Sequence, residues 1–256
     1  MRSSRFPRPK LCDAAARNAL RVAALSAALI SAVCLAAPGS DAPAVYSQNY
    51  LVFLNGSPAG TESVEERTTK DGLISSSTHD IVVTEGIETK RLAFSTSLRL
   101  EKGTYAPLDY SCRYTSANSG DSYHVSVRKG IVTRSLTRAG HTSESSMAAK
   151  PGMVLVDLNV FHQFDYLYRH YDLNKAGRQT FSDYIPLIAS DISLALTRLE
   201  DSELAGAKRS VAVQNFKVEL VGVWMGVASF DGDGRLVRLF IQDKGIEVIR
   251  KDMQPE

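Results

Sequence analysis

The chain has 256 residues, 44% of them hydrophobic and 8% aromatic, and its 30 basic and 28 acidic side chains give a net charge of +2. Six of the basic and two of the acidic residues lie in the first 42, so the remainder carries 24 against 26 and a net charge of −2. A chain so balanced has no basic excess to draw a phosphate backbone, which argues against nucleic acid as a partner.

The N-terminus opens with Arg2, Arg5, Arg8, Lys10, Arg17 and Arg21. An uncharged apolar run follows over residues 22–37, and small residues lead into Pro38 and Gly39. Basic region, apolar centre and small-residue exit are the parts of a secretory signal peptide. Residues 1–42 are accordingly read as the signal peptide and the start of the mature chain, with cleavage after Ala36, Ala37 or Ala42. Residues 43–256 are read as a single β-rich domain that is periplasmic or secreted. The apolar run is short of the ~20 residues a membrane helix needs, so membrane contact is expected only through the segment while it is uncleaved. A lipidated Cys34 is disfavoured by the bulky Val33 before it. An organelle transit peptide also fits the Arg- and Ser-rich start. Cys12 and Cys34 fall in this segment, which leaves Cys112 alone and allows no internal disulfide. Between tyrosines, Cys112 is expected on a packed surface.

The first strands show as alternation. In "YLVFLNGSPAGTESVEER", Asn55-Gly56 is a hairpin signal, because both residues tolerate positive φ, and Gly60 marks a bulge on the return strand. "GLISSSTHDIVV" and "ETKRLAFSTSLRLEKG" follow, the latter with Leu92, Phe94, Thr96, Leu98 and Leu100 on one face. "YAPLDYSCRYTS", "DSYHVSVRKG", "IVTRSLTRAG" and "HTSESSMAA" continue as a meander punctuated by Gly120, Gly130 and Gly140.

The period then changes. In "VLVDLNVFHQFDYLYRHYDL", Val160, Phe164, Leu167 and Tyr171 stand at helical spacing with Phe161 and Tyr168 beside them. This predicts a helix near 158–172 that lays a wide apolar stripe on a sheet, capped by Asp157 or Asn159. Strands resume with "GRQTFSDYIPLI" and with "SDISLALTRLED", where Ile192, Leu194 and Leu196 alternate with polar or small residues. "SVAVQNFKVELVGVWMGVASF", "GRLVRLFIQD" and "GIEVIRK" complete the set, and "DGDG" at 231–234 turns the chain between two of them. The fold class is mainly β: one long, twisted antiparallel sheet, a half-barrel or open barrel, wrapped around one central α-helix.

Chemistry-bearing motifs are sparse. His162 and His170 are eight residues apart, about 80° and about 12 Å on a helix, whereas helical metal pairs want spacings of three or four. They are read as structural hydrogen-bonding residues at the sheet edge, His162 pairing with Asp165 or Tyr166. His79 and Asp80 are neighbours in a strand and so point to opposite faces. His124 and His141 lie on other strands. No G-x-S-x-G, S-x-x-K or glycine-rich phosphate loop is present. "DGDG" lacks the spaced ligands of a calcium loop, and the turn explains the "NGS" sequon at Asn55. No catalytic residue, metal ligand or cofactor is assigned.

Four stretches in this order, "YLVFLNGSPAGTESV", "VDLNVFHQFDYLYRHYDL", "GRQTFSDYIP" and "ASFDGDGRLVRLFI…GIEVIRK", resemble a family of exported bacterial proteins of unknown function. The resemblance covers most of the mature chain and rests on motif order. It implies an antiparallel half-barrel wrapped on a helix, similar to the periplasmic carriers that shield lipid chains of lipoproteins. Asn159, His162 and Gln163 match the family's central helix motif, and the resemblance carries over no reaction.

Three readings stay open. The first is a non-enzymatic periplasmic protein that binds a hydrophobic or amphipathic ligand such as a lipid between sheet and helix, lined by Phe161, Phe164, Leu167, Tyr168, Tyr171, Phe94, Leu98 and Trp224. The second is an envelope protein-interaction or scaffold module with a closed core. The third is a hydrolase that uses His162 or His170 with a nearby carboxylate.

Overall fold

The computed structural model describes residues 45–85, 88–115, 121–207 and 209–254. The signal-peptide reading, with Cys12 and Cys34, lies outside the described residues. The chain from Ala42 to Glu256 forms one compact unit.

Strands β1 (Val45–Leu54), β2 (Ser57–Thr69), β3 (Gly72–Glu85), β4 (Glu88–Glu101), β5 (Pro107–Tyr114), β6 (Ser122–Arg128), β7 (Ile131–Arg138) and β8 (His141–Ala148) form an uninterrupted meander. After the central segment come β9 (Arg178–Ile185), β10 (Ser190–Arg198), β11 (Ser202–Ala205), β12 (Ser210–Leu220), β13 (Trp224–Phe230), β14 (Leu236–Ile241) and β15 (Ile246–Arg250). The spatial order is β8-β7-β6-β5-β4-β3-β2-β1-β15-β14-β13-β12-β10-β9, with β11 flanking β12, and every ladder between these strands is antiparallel. The first and last strands of the chain therefore meet in the middle of the sheet. It stays open, with β8 and β9 as its two ends.

Local chemistry sets these ladders. Asn55 and Gly56 turn the β1–β2 hairpin with φ of 52° and 77°, as the dipeptide predicts. The register slips between Val52 and Phe53, so the bulge expected at Gly60 is present. Gly60 has φ of 154°, and a Cβ there would lie 2.0 Å from the Asp80 carbonyl oxygen. The β2–β3 ladder closes only with glycine at that position.

The helical segment that covers the inner face of the sheet, hereafter the plug, is shorter than the 158–172 that the periodicity predicts. A 3-10 turn spans Phe161–Gln163, and α1 spans Phe164–His170. Residues before it are committed elsewhere. Val154 bridges to Asp183 on the open edge of β9, with Tyr184 N–H donating to the Val154 carbonyl at 3.0 Å. Asn159 then turns the chain at φ 64°. Neither Asp157 nor Asn159 caps the helix; Asp157 is instead consumed by tyrosines, as described below.

The inner face packs as one core. Leu98, Val125, Leu167, Leu194, Leu196, Phe216, Val218, Phe230, Leu236, Leu239 and Val248 are almost wholly buried within it. Tyr168 and Tyr171 cross the rings of Phe216 and Phe230 at centroid distances of 4.8–5.6 Å, a range in which aromatic pairs add stability beyond area burial. Side chains link the sheet's two ends where no ladder does: Arg134 of β7 donates from Nε to the Pro186 carbonyl at 2.7 Å, just beyond β9.

Candidate functional site

Two features of the plug hold candidate chemistry: a buried polar clamp on one side and an apolar cavity on the other.

The clamp begins with alternation in β2. Val64 faces the core, so Glu62 and Glu66, two residues to either side, face it too, and all three are buried. Glu62 receives the N–H groups of Phe161 at 3.1 Å and His162 at 3.3 Å, and the Nδ1 of His162 at 2.5 Å. A carboxylate 100 residues away in sequence thus does what the missing local cap would do for the orphan N–H groups. His162 Nε2 lies 2.9 Å from Ser75 Oγ. His79, stacked on Phe94 at 4.2 Å, places Nε2 3.7 Å from Glu62 and 2.6 Å from Ser77 Oγ, which also meets Thr96. Burial raises the Glu62 acid, but the two imidazoles and the bonds from His162 outweigh it and hold the carboxyl below its ordinary value. Burial pushes His79 down to about 4, so it is neutral at pH 7.

Ser75, His162 and Glu62 therefore reproduce the connectivity of a nucleophile–base–acid relay. Their exposures are 0%, 1% and 0%, and none of them lines a described cavity. This arrangement joins β2, β3 and the plug. It corrects the placing of His162 at the sheet edge: it sits at the centre, and its partner is Glu62 rather than Asp165. It meets Tyr166 only ring to edge at 6.0 Å. His170 is half-buried, 3.4 Å from the Tyr105 carbonyl, while His124 and His141 are exposed. Among the described residues no group of three or more His, Cys, Asp or Glu is placed to hold a metal ion.

A second set of ties holds the helix from the opposite strand. Arg235, delivered by the Asp231–Gly234 turn, grips Glu66 at 2.5 and 2.6 Å and reaches Asp165 at 3.2 Å. Tyr166 donates to Glu66 at 2.6 Å, and Leu236 N–H donates to Asp165 at 2.7 Å. Burial pushes Asp165 up to about 6 against the pull of Arg235. The turn must be tight here, since Gly234 has φ of 73° and a Cβ would meet the Tyr168 ring at 2.5 Å. At the other end, Asp157 accepts from the hydroxyls of Tyr110 and Tyr123 and from the N–H groups of Leu158 and Leu187. Gln163 accepts from Asp157 N–H at 2.7 Å. Of the three helix-motif residues, His162 and Gln163 orient the plug, and Asn159 makes its turn.

The cavity lies between the plug and strands β9, β10, β12, β13, β14 and β15 and measures about 250 Å³. Val156, Leu158, Val160, Phe161 and Phe164 form its plug side, and Leu194, Leu220, Leu239, Ile241 and Ile246 its sheet side. Exposed Val223 and Lys244, with half-buried Trp224, stand at the mouth. The polar lining residues beyond Lys244 are Asp157, Asn159 and Asp183. Of the eight aromatic and aliphatic lining candidates, Phe161, Phe164 and Trp224 meet here, with Phe164 and Trp224 rings 6.2 Å apart. The other five do not line it. Leu167, Tyr168 and Tyr171 pack at the plug's far side, and Phe94 and Leu98 lie on β4, between β3 and β5. The helical stripe is wider than the cavity, so most of it is core.

No protein-family profile matches this chain, and no curated relative matches it in sequence. Among solved structures it is similar to a beta-barrel-like protein of domain of unknown function DUF1849 from Brucella abortus, at 7% identity and a TM-score of 0.51, over 82% of this chain and 95% of that one. A DUF1089-family protein from Pseudomonas aeruginosa gives 13% identity over 70% of this chain and 88% of that one, with a TM-score of 0.44. The first likeness establishes the fold alone: a mainly antiparallel, barrel-like sheet that remains open, with one short helix.

Proposed function

We propose that this protein is a non-enzymatic exported binding module that takes the apolar part of a small hydrophobic or amphipathic molecule between sheet and plug. The observation that carries this reading is the 250 Å³ apolar cavity, walled by the plug and six strands, with a mouth at Val223, Trp224 and Lys244. A 150 Å³ engineered cavity takes benzene, so by proportion this one holds roughly ten heavy atoms. That suits a single ring system or a short acyl segment, and the rest of a larger lipid would have to stay outside the mouth. The basic-apolar-small N-terminus supports export, and with it a periplasmic or secreted setting.

Trp224 is the chain's single tryptophan and lies on the cavity wall, so its emission reports occupancy. Titration with n-propylbenzene is expected to shift or quench it with a dissociation constant on the order of 0.1 mM. Val160→Phe, which adds a ring to the wall, is expected to abolish the response in a folded protein. A wild-type titration without any change overturns the reading.

A further inference from the structure

The cavity wall is apolar except at a few points, and one of these is unfinished. Asp183 is fully buried on β9, and its Oδ1 accepts the Val156 N–H at 2.7 Å. Its Oδ2 has no partner among the described residues. The neighbouring Asp157 is also in the wall, but four donors occupy both of its oxygens. A buried polar atom without a partner is costly, and native folds rarely leave one without cause.

We propose that the free oxygen of Asp183 is the polar reader of this cavity, selecting neutral apolar molecules that carry a carbonyl oxygen, such as a ketone or an ester. The inference rests on the binding reading above. Burial, more than any other cause, pushes the Asp183 acid well above the usual carboxylate range. Because Oδ1 is held by the Val156 N–H, the proton belongs on Oδ2, which makes that atom a donor. A carbonyl supplies an acceptor and brings no donor of its own. A hydroxyl accepts the same bond, but its own hydrogen then needs a second acceptor in a wall that is mostly apolar, so it gains less than a carbonyl. An ammonium or carboxylate ligand would have to leave its hydration for an apolar wall, a far larger cost than that of a neutral oxygen. Ligand carboxylates would also face two buried acids.

The test is a matched series read by Trp224 emission: n-propylbenzene, its ketone propiophenone, its alcohol 1-phenylpropan-1-ol and its amine 1-phenylpropylamine. Propiophenone is expected to bind about tenfold more tightly than propylbenzene, the size of one net hydrogen bond, and to exceed the alcohol and the amine. Asp183→Asn keeps the Oδ1 acceptor and places an N–H₂ donor where Oδ2 was, so it retains the ketone preference. Asp183→Leu removes the donor, so both compounds bind equally. Circular dichroism of each variant confirms folding, and the ratio of two affinities on one protein is insensitive to partial loss of active material. Equal wild-type affinities for ketone and hydrocarbon, or tighter binding of the amine, overturn the carbonyl assignment and leave the cavity reading intact. Silence with every compound overturns both.

Discussion

The Nδ1 of His162 on the plug lies 2.5 Å from Oε1 of Glu62 on β2. Through this contact and the Phe161 and His162 N–H groups, one buried carboxylate fixes where the plug begins and which way its first turn faces. The cavity wall formed by Val160, Phe161 and Phe164 depends on that placement.

Glu62→Leu is therefore expected to destabilise the protein by about 3–5 kcal/mol, because it leaves three buried donors without their acceptor, at about 1–3 kcal/mol for each such group. His162→Leu should cost a similar amount, and the double variant less than the sum. Urea unfolding of the four proteins checks this; additivity within error would show that the two residues act independently.

Acid should loosen the clamp. His79 is held neutral in the fold with a pKa near 4, against 6.5 for the free side chain. The unfolded chain then binds the extra proton between those values, so the stability contribution is complete above pH 6.5 and is lost as pH falls toward 4. Glu62 acts in the same direction, its lowered pKa giving stability that disappears as pH falls through the folded value. The stability difference between wild type and His79→Gln should shrink by up to about 3 kcal/mol between pH 7 and pH 4. Denaturant midpoints at a series of pH values give this difference directly, and a constant difference would contradict it.

Gly60→Ala should be among the most damaging small substitutions in the chain. The added Cβ meets backbone at 2.0 Å, and neither β2 nor β3 can yield without breaking its ladder. A loss of more than about 3 kcal/mol, or failure to accumulate folded protein, is expected. Gly56→Ala at the hairpin tip, where the same atom meets nothing within 4 Å, serves as the control and should cost about 1 kcal/mol for its positive φ.

Cys112 should be inert in the native state. It is 1% exposed, and burial pushes its thiol up to about 12, so little of the reactive thiolate forms. An aromatic disulfide reagent at pH 8 is expected to label it only at the rate of unfolding, and fully in denaturant. Prompt stoichiometric labelling of folded protein would contradict this.

Much of the architecture was legible because sheet folds write their pattern in alternation. Asn55-Gly56, Gly60 and the 231–234 turn fall where their backbone chemistry requires, and Ile192, Leu194 and Leu196 identify β10. The helix is shorter than its periodicity at both ends: residues 154–156 cover an open sheet edge before it, and Tyr171 turns extended after His170, demands that periodicity within the segment does not reveal. The clamp was missed although β2 carried a signal for it: Glu62, Val64 and Glu66 share a face. Serines 75 and 77 look like ordinary strand-face polar residues in the sequence, and only the distant pairing of β2, β3 and the plug buries them. The cavity's partition of the aromatic stripe is likewise a matter of packing volume, which single residues do not encode. Asp183 gave no sequence signal at all, since its isolation arises from the Val154 bridge beside it.

The most direct test of a ligand-binding cavity is a native mass spectrum of protein purified without denaturation from cells with intact membranes. The account predicts an adduct of a small apolar molecule that is lost on denaturation and is absent from Val160→Phe. An adduct-free spectrum, together with an unchanged Trp224 emission on adding propylbenzene, would contradict it and leave the plug as a closed core.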